Sequence, residues 1–212
     1  MKRRDVLRAG LAAFSGGLAS AGGPARAQAV PDELAEIDRR LENPAVLRGE
    51  FEQTKSIQGF KRPLVSRGSF VMARGRGVQW ITAQPFASTL VVTRERLLTL
   101  GEAGVSQQID ARQEPGLRAL NEMLMALLAG DVQALAARFT AQVALQGAHG
   151  WRLALTPRDA ALAGFISRIE LEGARHVNAV RLHETSGDAS HIRFLNPAAS
   201  ALSPAEAERF GP

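Results

Sequence analysis

The stretch from Ser66 to Leu100 (SRGSFVMARGRGVQWITAQPFASTLVVTRERLLTL) constrains the fold more than any other. It reads as two extended apolar segments, a turn at Gln84-Pro85 and a third strand. The two-residue period of a strand puts Gly68, Phe70, Met72 and Arg74 on one face, and Ser69, Val71 and Ala73 on the other. Arg74 therefore follows two large apolar side chains on the face expected to be buried. A guanidinium among apolar groups is costly unless its donors meet acceptors. Arg74 marks either the wet end of the strand or a side chain that another element must satisfy.

The N-terminal residues read as an address rather than as fold. Met1–Arg8 is basic, a weakly apolar run extends from Leu7 to Gly23, and Ala25-Arg26-Ala27 and Ala27-Gln28-Ala29 offer small-x-small cleavage sites. An export signal over residues 1–29 is expected, cut between Ala27 and Ala29. Arg3-Arg4 followed by Val6-Leu7 resembles a twin-arginine signal, with Lys2 and Val6 where Ser or Thr and Phe are usual. The run is too short and too rich in Gly and Ser to be a membrane-spanning helix.

Cleavage after Ala27 would remove Lys2, Arg3, Arg4, Arg8 and Arg26 together with Asp5, so the formal net charge would fall from +5 to +1. The remaining arginines are scattered among acids, which reads as a solvated surface and argues against a nucleic-acid partner. Cysteine is absent, which excludes disulfides and a lipidated cysteine anchor. A soluble monomer in the periplasm, held together by its apolar core, is expected.

The remaining chain reads as α+β. Val30–Asn43 carries Leu34, Ile37 and Leu41 at helical spacing behind Pro31 and Asp32, and stops at Asn43-Pro44. Ala45–Gly59 switches to the strand period, with Leu47, Gly49, Phe51 and Gln53 on one face. A strand is expected over Val105–Ala111, an apolar helix over Gly116–Gly130, and a second helix over Val132–Phe139 capped at Gly130-Asp131. The first of these two helices fits a core element or a mobile cover. Five strands are then expected, over Ala141–Gln146, Gly150–Thr156, Phe165–Glu172, Asn178–His183 and Ser190–Leu195, in a meander that curls like a barrel. The domain is expected to span residues 30–195, with 196–212 a loosely held tail.

Catalytic patterns do not emerge. His149, His176, His183 and His191 lack zinc-motif spacing, although neighbouring strands would bring His183 and His191 close. There is no G-x-S-x-G elbow, and Gly75-x-Gly77 reads as a turn between strands. Neither a metal nor another cofactor is expected.

Phe51-Glu52-Gln53 after an N-terminal helix is one of several motifs that together resemble the periplasmic lipoprotein carrier family LolA. The others are Gly68 with Arg74 and Trp80 at intervals of six, Gln84-Pro85 before Leu90-Val91-Val92, and Leu153-Ala154-Leu155-Thr156-Pro157. Gly75 follows Arg74 where the family usually has proline, and the tail after Leu195 matches poorly. The resemblance implies an incomplete, strongly curved antiparallel half-barrel whose concave apolar face is covered by helices. It implies a non-enzymatic carrier that takes acylated lipoproteins or lipids from an inner-membrane releasing complex to an outer-membrane acceptor. The cavity residues would be Leu47, Phe51, Phe70, Met72, Val78, Trp80, Leu90 and Val92, and the lid residues Leu120, Met123, Leu124 and Leu127. Arg74 would be the latch that bonds lid carbonyls. The alternative on the same fold is a lipoprotein- or lipid-sensing regulator, and an enzyme would need a polar constellation inside the cavity.

Overall fold

The computed structural model describes residues 29–101, 104–110, 122, 125–126 and 131–211. Helix α1 (Ala29–Arg40) buries Leu34 and Ile37, with Leu41 packed beside them. It ends at Arg40 rather than Asn43 because Glu42 pairs elsewhere. The Glu42 backbone N–H donates to the Arg175 carbonyl at 2.7 Å, and Arg175 Nε donates to the Glu42 carboxylate at 2.7 Å.

Eleven strands follow among the described residues: β1 (Val46–Ser56), β2 (Leu64–Ala73), β3 (Gly77–Gln84), β4 (Ser88–Val92), β5 (Arg96–Gly101), β6 (Gly104–Asp110), β7 (Phe139–Gln146), β8 (Gly150–Pro157), β9 (Ile166–Gly173), β10 (Val177–Glu184) and β11 (Ala189–Ala199). They form one curved antiparallel sheet in the order β6-β5-β4-β3-β2-β1-β11-β10-β9-β8-β7, left unclosed between β6 and β7. Three short helices with described bounds accompany them. Helix α2 (Val132–Arg138) is capped by Asp131, α3 (Ala160–Ala163) by Asp159, and α4 (Pro204–Phe210) by Ser203. Of the helix expected over Gly116–Gly130, Glu122, Met125 and Ala126 are described and are helical.

Ser66–Leu100 holds parts of four strands, not the three expected. The missed turn is Thr93-Arg94-Glu95. Thr93 Oγ1 accepts from the N–H groups of Glu95 (3.3 Å) and Arg96 (3.1 Å), and the Thr93 N–H donates to the Arg96 carbonyl at 3.0 Å. A threonine hydroxyl makes this reversal without the Gly or Pro that usually announces one.

The largest core lies on the concave side of the other half of the sheet. Leu34 and Ile37 of α1 meet Leu135 of α2, Trp151, Leu153 and Leu155 of β8, and Ile169 and Leu171 of β9. Strand register continues this face across the sheet, because Leu153 pairs with Leu171, Leu171 with Val180, Val180 with Ile192 and Ile192 with Gln53.

The expected loose tail is instead structured, for two physical reasons. Strand β11 runs past Asn196-Pro197 to Ala199 by slipping its register against β1, with Asn196 at φ 52°. A bulge tolerates a proline that a regular ladder excludes. Helix α4 then forms a capping box: the Glu206 N–H donates to Ser203 Oγ, and the Ser203 N–H donates to Glu206 Oε2. A seven-residue helix is marginal alone, so packing must hold it. Phe210 is buried with Val71, Ala73, Val91 and Leu98 on the convex face. Gln79, fully buried in β3, donates Nε2 to the Glu206 carbonyl at 2.6 Å. Arg76 Nη2 donates to the carbonyls of Ala207 (3.1 Å) and Gly211 (2.6 Å), and Arg96 Nη2 to that of Arg209 (3.2 Å). These guanidiniums satisfy carbonyls that a helix C-terminus leaves open.

Two expectations follow. Phe210→Ala should lower stability by about 3 kcal/mol in urea unfolding; a change near zero would return residues 203–211 to the status of a tail. The hydrogen bond from the Ser203 backbone, followed by those from the Ser203 hydroxyl and Arg48, holds the Glu206 carboxyl below the ordinary glutamate range. That stabilisation is present above the ordinary value and is lost as pH falls through the lower folded value. Thermal unfolding should therefore show an acid loss below about pH 4 that is smaller in Glu206→Gln; equal losses would detach it from Glu206.

Candidate functional site

The residues expected to line a cavity come together on the concave face of β1–β4. Leu47, Phe51, Phe70, Met72, Val78 and Val92 are buried, and Trp80 and Leu90 are half-buried. Register alone aligns them: Leu47 pairs with Met72, Phe70 with Trp80, Met72 with Val78, Val78 with Val92, and Trp80 with Leu90. Leu47, Phe70, Met72 and Val78 form one cluster, with Trp80, Met125 and Phe194 packed against it. The rings of Phe51 and Trp80 stack with centroids 3.8 Å apart. Phe194 meets Phe70 edge-on at 5.2 Å and Trp80 at 6.1 Å. Phe194 is not among the residues expected on this face, although its alternation with Ile192 marks the same strand face.

Glycines shape this face. Phe51 pairs with Gly68 across β1 and β2, and Phe70 with Gly49. A Cβ on Gly68 would lie 1.9 Å from the Ile81 carbonyl oxygen and 2.9 Å from the Phe51 ring. On the other half of the sheet, a Cβ on Gly173 would lie 2.6 Å from the ring of its partner Trp151. Each ring thus lies over a cross-strand glycine, which lets the sheet bend around its own aromatic side chains.

A cavity of about 470 Å³ adjoins the apolar cluster, with Met125, Ala126, Leu135 and Phe139 as apolar lining. Arg74, Arg94, Glu122, Asp131 and Arg138 form its polar wall, and Arg138 is paired with Glu122. Arg74 is the first residue after β2 and is exposed. Its backbone N–H donates to the Ala45 carbonyl at 2.9 Å, and its side chain has no hydrogen-bond partner among the described residues. It stands at the open end of its strand and on the cavity wall together. The lid residues Leu120, Met123, Leu124 and Leu127 lie outside the described residues, so Met125 is the covering side chain seen on the apolar cluster.

No group of three histidine, aspartate or glutamate side chains suited to a metal occurs among the described residues. His183 pairs with Ala189 and His191 with Arg181 on adjacent strands. His183 lies 4.0 Å from Glu170, and His176 lies 3.6 Å from Glu42.

Residues 42–208 match the family described as "Outer membrane lipoprotein carrier protein LolA". The chain belongs to the LolA family. This match extends past Leu195 into α4, although the tail after Leu195 was expected to match poorly. No curated protein matches the chain. Among solved structures, it resembles a LolA superfamily protein from Nitrosomonas europaea at 10% identity and a TM-score of 0.46, over 82% of this chain and 95% of that one. It also resembles a chain of the Pseudomonas aeruginosa MucA/MucB complex at 19% identity and a TM-score of 0.43, over 83% of this chain and 60% of that one. A third is a DUF1329 family protein from Desulfovibrio piger at 12% identity and a TM-score of 0.45, over 84% and 95%. Among the described residues, no helix is long and apolar enough to cross a membrane.

Gly68→Ala should destabilise the LolA-like sheet by about 1–3 kcal/mol, because Ile81 presents backbone rather than a flexible side chain to the new methyl. Chemical denaturation checks this. Wild-type stability would mean that the β2–β3 contact is looser than its geometry.

Proposed function

We propose that the protein is an exported, non-enzymatic periplasmic carrier that binds acyl chains of lipoproteins or a related lipid on its concave face. It would receive them from an inner-membrane releasing complex and pass them to an outer-membrane acceptor. The observation that carries this reading is the apolar cluster of β1–β3 beside a cavity of about 470 Å³, in a chain of the LolA family. Acyl chains gain about 0.8 kcal/mol per buried CH₂, so binding needs no covalent step. Release needs an opposing force, since a cavity that only gains from burial would keep its cargo.

Arg74 supplies a candidate for that force. It lines the same cavity as Met125 and Ala126, and its donors are free among the described residues. In this reading it latches the covering segment through backbone carbonyls when the cavity is empty, and cargo competes with the latch. Trp80, half-buried between Phe51 and Phe194, is positioned to report entry.

Native mass spectrometry of protein recovered from the periplasm, followed by lipid extraction, tests the carrier. Co-purifying acyl chains or acylated peptide is the expected result; a clean apo mass with no uptake of added lipid would make the cluster a plain core. Arg74→Leu should keep the fold and slow cargo release to acceptor vesicles by about tenfold, the equivalent of about 1.4 kcal/mol. Unchanged release would remove the latch.

A further inference from the structure

The connections of the sheet differ in character between its two rims. Ser56 pairs with Ala189, Lys55 with Leu64, Arg67 with Gln84 and Glu184 with Ile166. The β1–β2, β3–β4, β8–β9 and β10–β11 connections therefore share one rim. Hydrogen bonds join three of them. The Thr185 N–H donates to the Phe165 carbonyl at 3.0 Å, Thr185 Oγ1 to the Ala163 carbonyl at 3.0 Å, and the Gln58 N–H to Asp188 Oδ1 at 2.9 Å. On this rim Phe60, Phe86 and Phe165 are 72%, 82% and 69% exposed, and Leu64 is 54% exposed. Isolated apolar side chains on a surface are ordinary, but several large ones along one rim mark a candidate interaction site. The turns of the other rim, at Arg74–Gly77, Thr93–Glu95, Gly147–His149 and Ala174–His176, carry no exposed large apolar side chain among the described residues, although Leu145, two residues before Gly147, is 39% exposed.

Charge and shape select the occupant. The β1–β2 loop carries Lys61 and Arg62 directly after Phe60, with no acid between Ile57 and Pro63. Both are exposed, and neither has an ion-pair partner among the described residues. The nearby cations on the strands are already neutralised, Lys55 by Glu184 at 2.8 Å and Arg67 by Glu52 at 2.9 Å. The free positive charge of the β1–β2 loop thus lies beside an exposed ring. Phe60, Phe86 and Phe165 stand on three separate loops, so a protein partner would need three matched pockets. A fluid interface needs none, because each ring enters it independently.

We propose that this rim docks on an anionic phospholipid surface, with the three phenylalanines inserted at the acyl boundary and Lys61 and Arg62 against the headgroups. The inference does not depend on what the cavity holds: it concerns how the protein meets a bilayer, not its cargo.

Cosedimentation with vesicles tests it, using protein recovered from the periplasm so that wild type and variants share one N-terminus. Vesicles of phosphatidylcholine containing phosphatidylglycerol are compared with phosphatidylcholine alone. The wild type should bind the anionic vesicles, and more weakly as salt is raised. Phe60→Ser/Phe86→Ser/Phe165→Ser should lower the partition coefficient by about tenfold or more. Lys61→Gln and Arg62→Gln should each lower it about fivefold on anionic vesicles only. All five side chains are exposed, so the variants should keep the wild-type melting temperature, which circular dichroism checks. No vesicle binding by the wild type overturns the proposal, as does binding that the triple phenylalanine variant retains. Concentration-dependent self-association lost in the triple variant, without vesicle binding, would assign the rim to a second copy instead. Lipid content in the native mass spectrum is read separately, so failure of the docking rim and failure of the carrier are distinguishable.

Discussion

Strand β1 holds the molecule together because both its edges are hydrogen-bonded. One edge pairs with its sequence neighbour β2, and the other with β11, the last strand of the chain. Without the second pairing, β1–β6 and β7–β11 would be separate sheets with separate cores. With it, one concave face runs from β6 to β7, and the aromatic cluster of Phe51, Phe70, Trp80 and Phe194 sits at the seam. Phe194 reaches that cluster because β11 lies beside β1 and pairs it with Phe51. The candidate binding face thus depends on a contact between the two ends of the fold.

An open sheet of this size must still bury apolar area on both sides where its strands are apolar on both faces. At the lower end of β2 and β3 the concave face carries Met72 and Val78, and the convex face Val71 and Ala73. Helix α4 covers the convex side, and this explains why Gln79 is buried there. Its amide bonds a helix carbonyl, which offsets the cost of desolvating it. The concave side is left to the segment that includes Met125, a flexible side chain suited to a surface that must repack.

The guanidinium argument raised by Arg74 has a visible counterpart two residues later. Arg76 bonds the open carbonyls of α4 and lies 5.7 Å over the Phe210 ring. Arg74, on the opposite side of the same turn, lines the cavity with its donors free among the described residues. Strand alternation would put both on one face; the turn, with Gly75 at φ 76°, instead sends one arginine to each side, and only one of the two meets its helix among the described residues. The rims divide in a similar way, with bare arginines at the turns of one and bare phenylalanines at the loops of the other.

Much of the fold was legible in the chain because alternation and spacing are local. The half-buried face of Leu47, Gly49 and Phe51, the helix around Leu34 and Ile37, and the Asp131 cap all follow from neighbours in sequence. Even α4 was written there, in the Ser203-Pro204-Ala205-Glu206 box, but a short helix has no stability until Phe210 finds a surface. The turn at Thr93 was hidden because a hydroxyl replaces the glycine or proline that reading relies on. What tertiary structure alone decided was partnership: which strand lies beside β1, which glycine sits under which ring, and which helix Arg76 caps. The strand partner and the capped helix depend on residues more than a hundred positions apart, and each glycine–ring pair on cross-strand register. Their free energy appears only when distant segments exclude water together, and no local pattern encodes that.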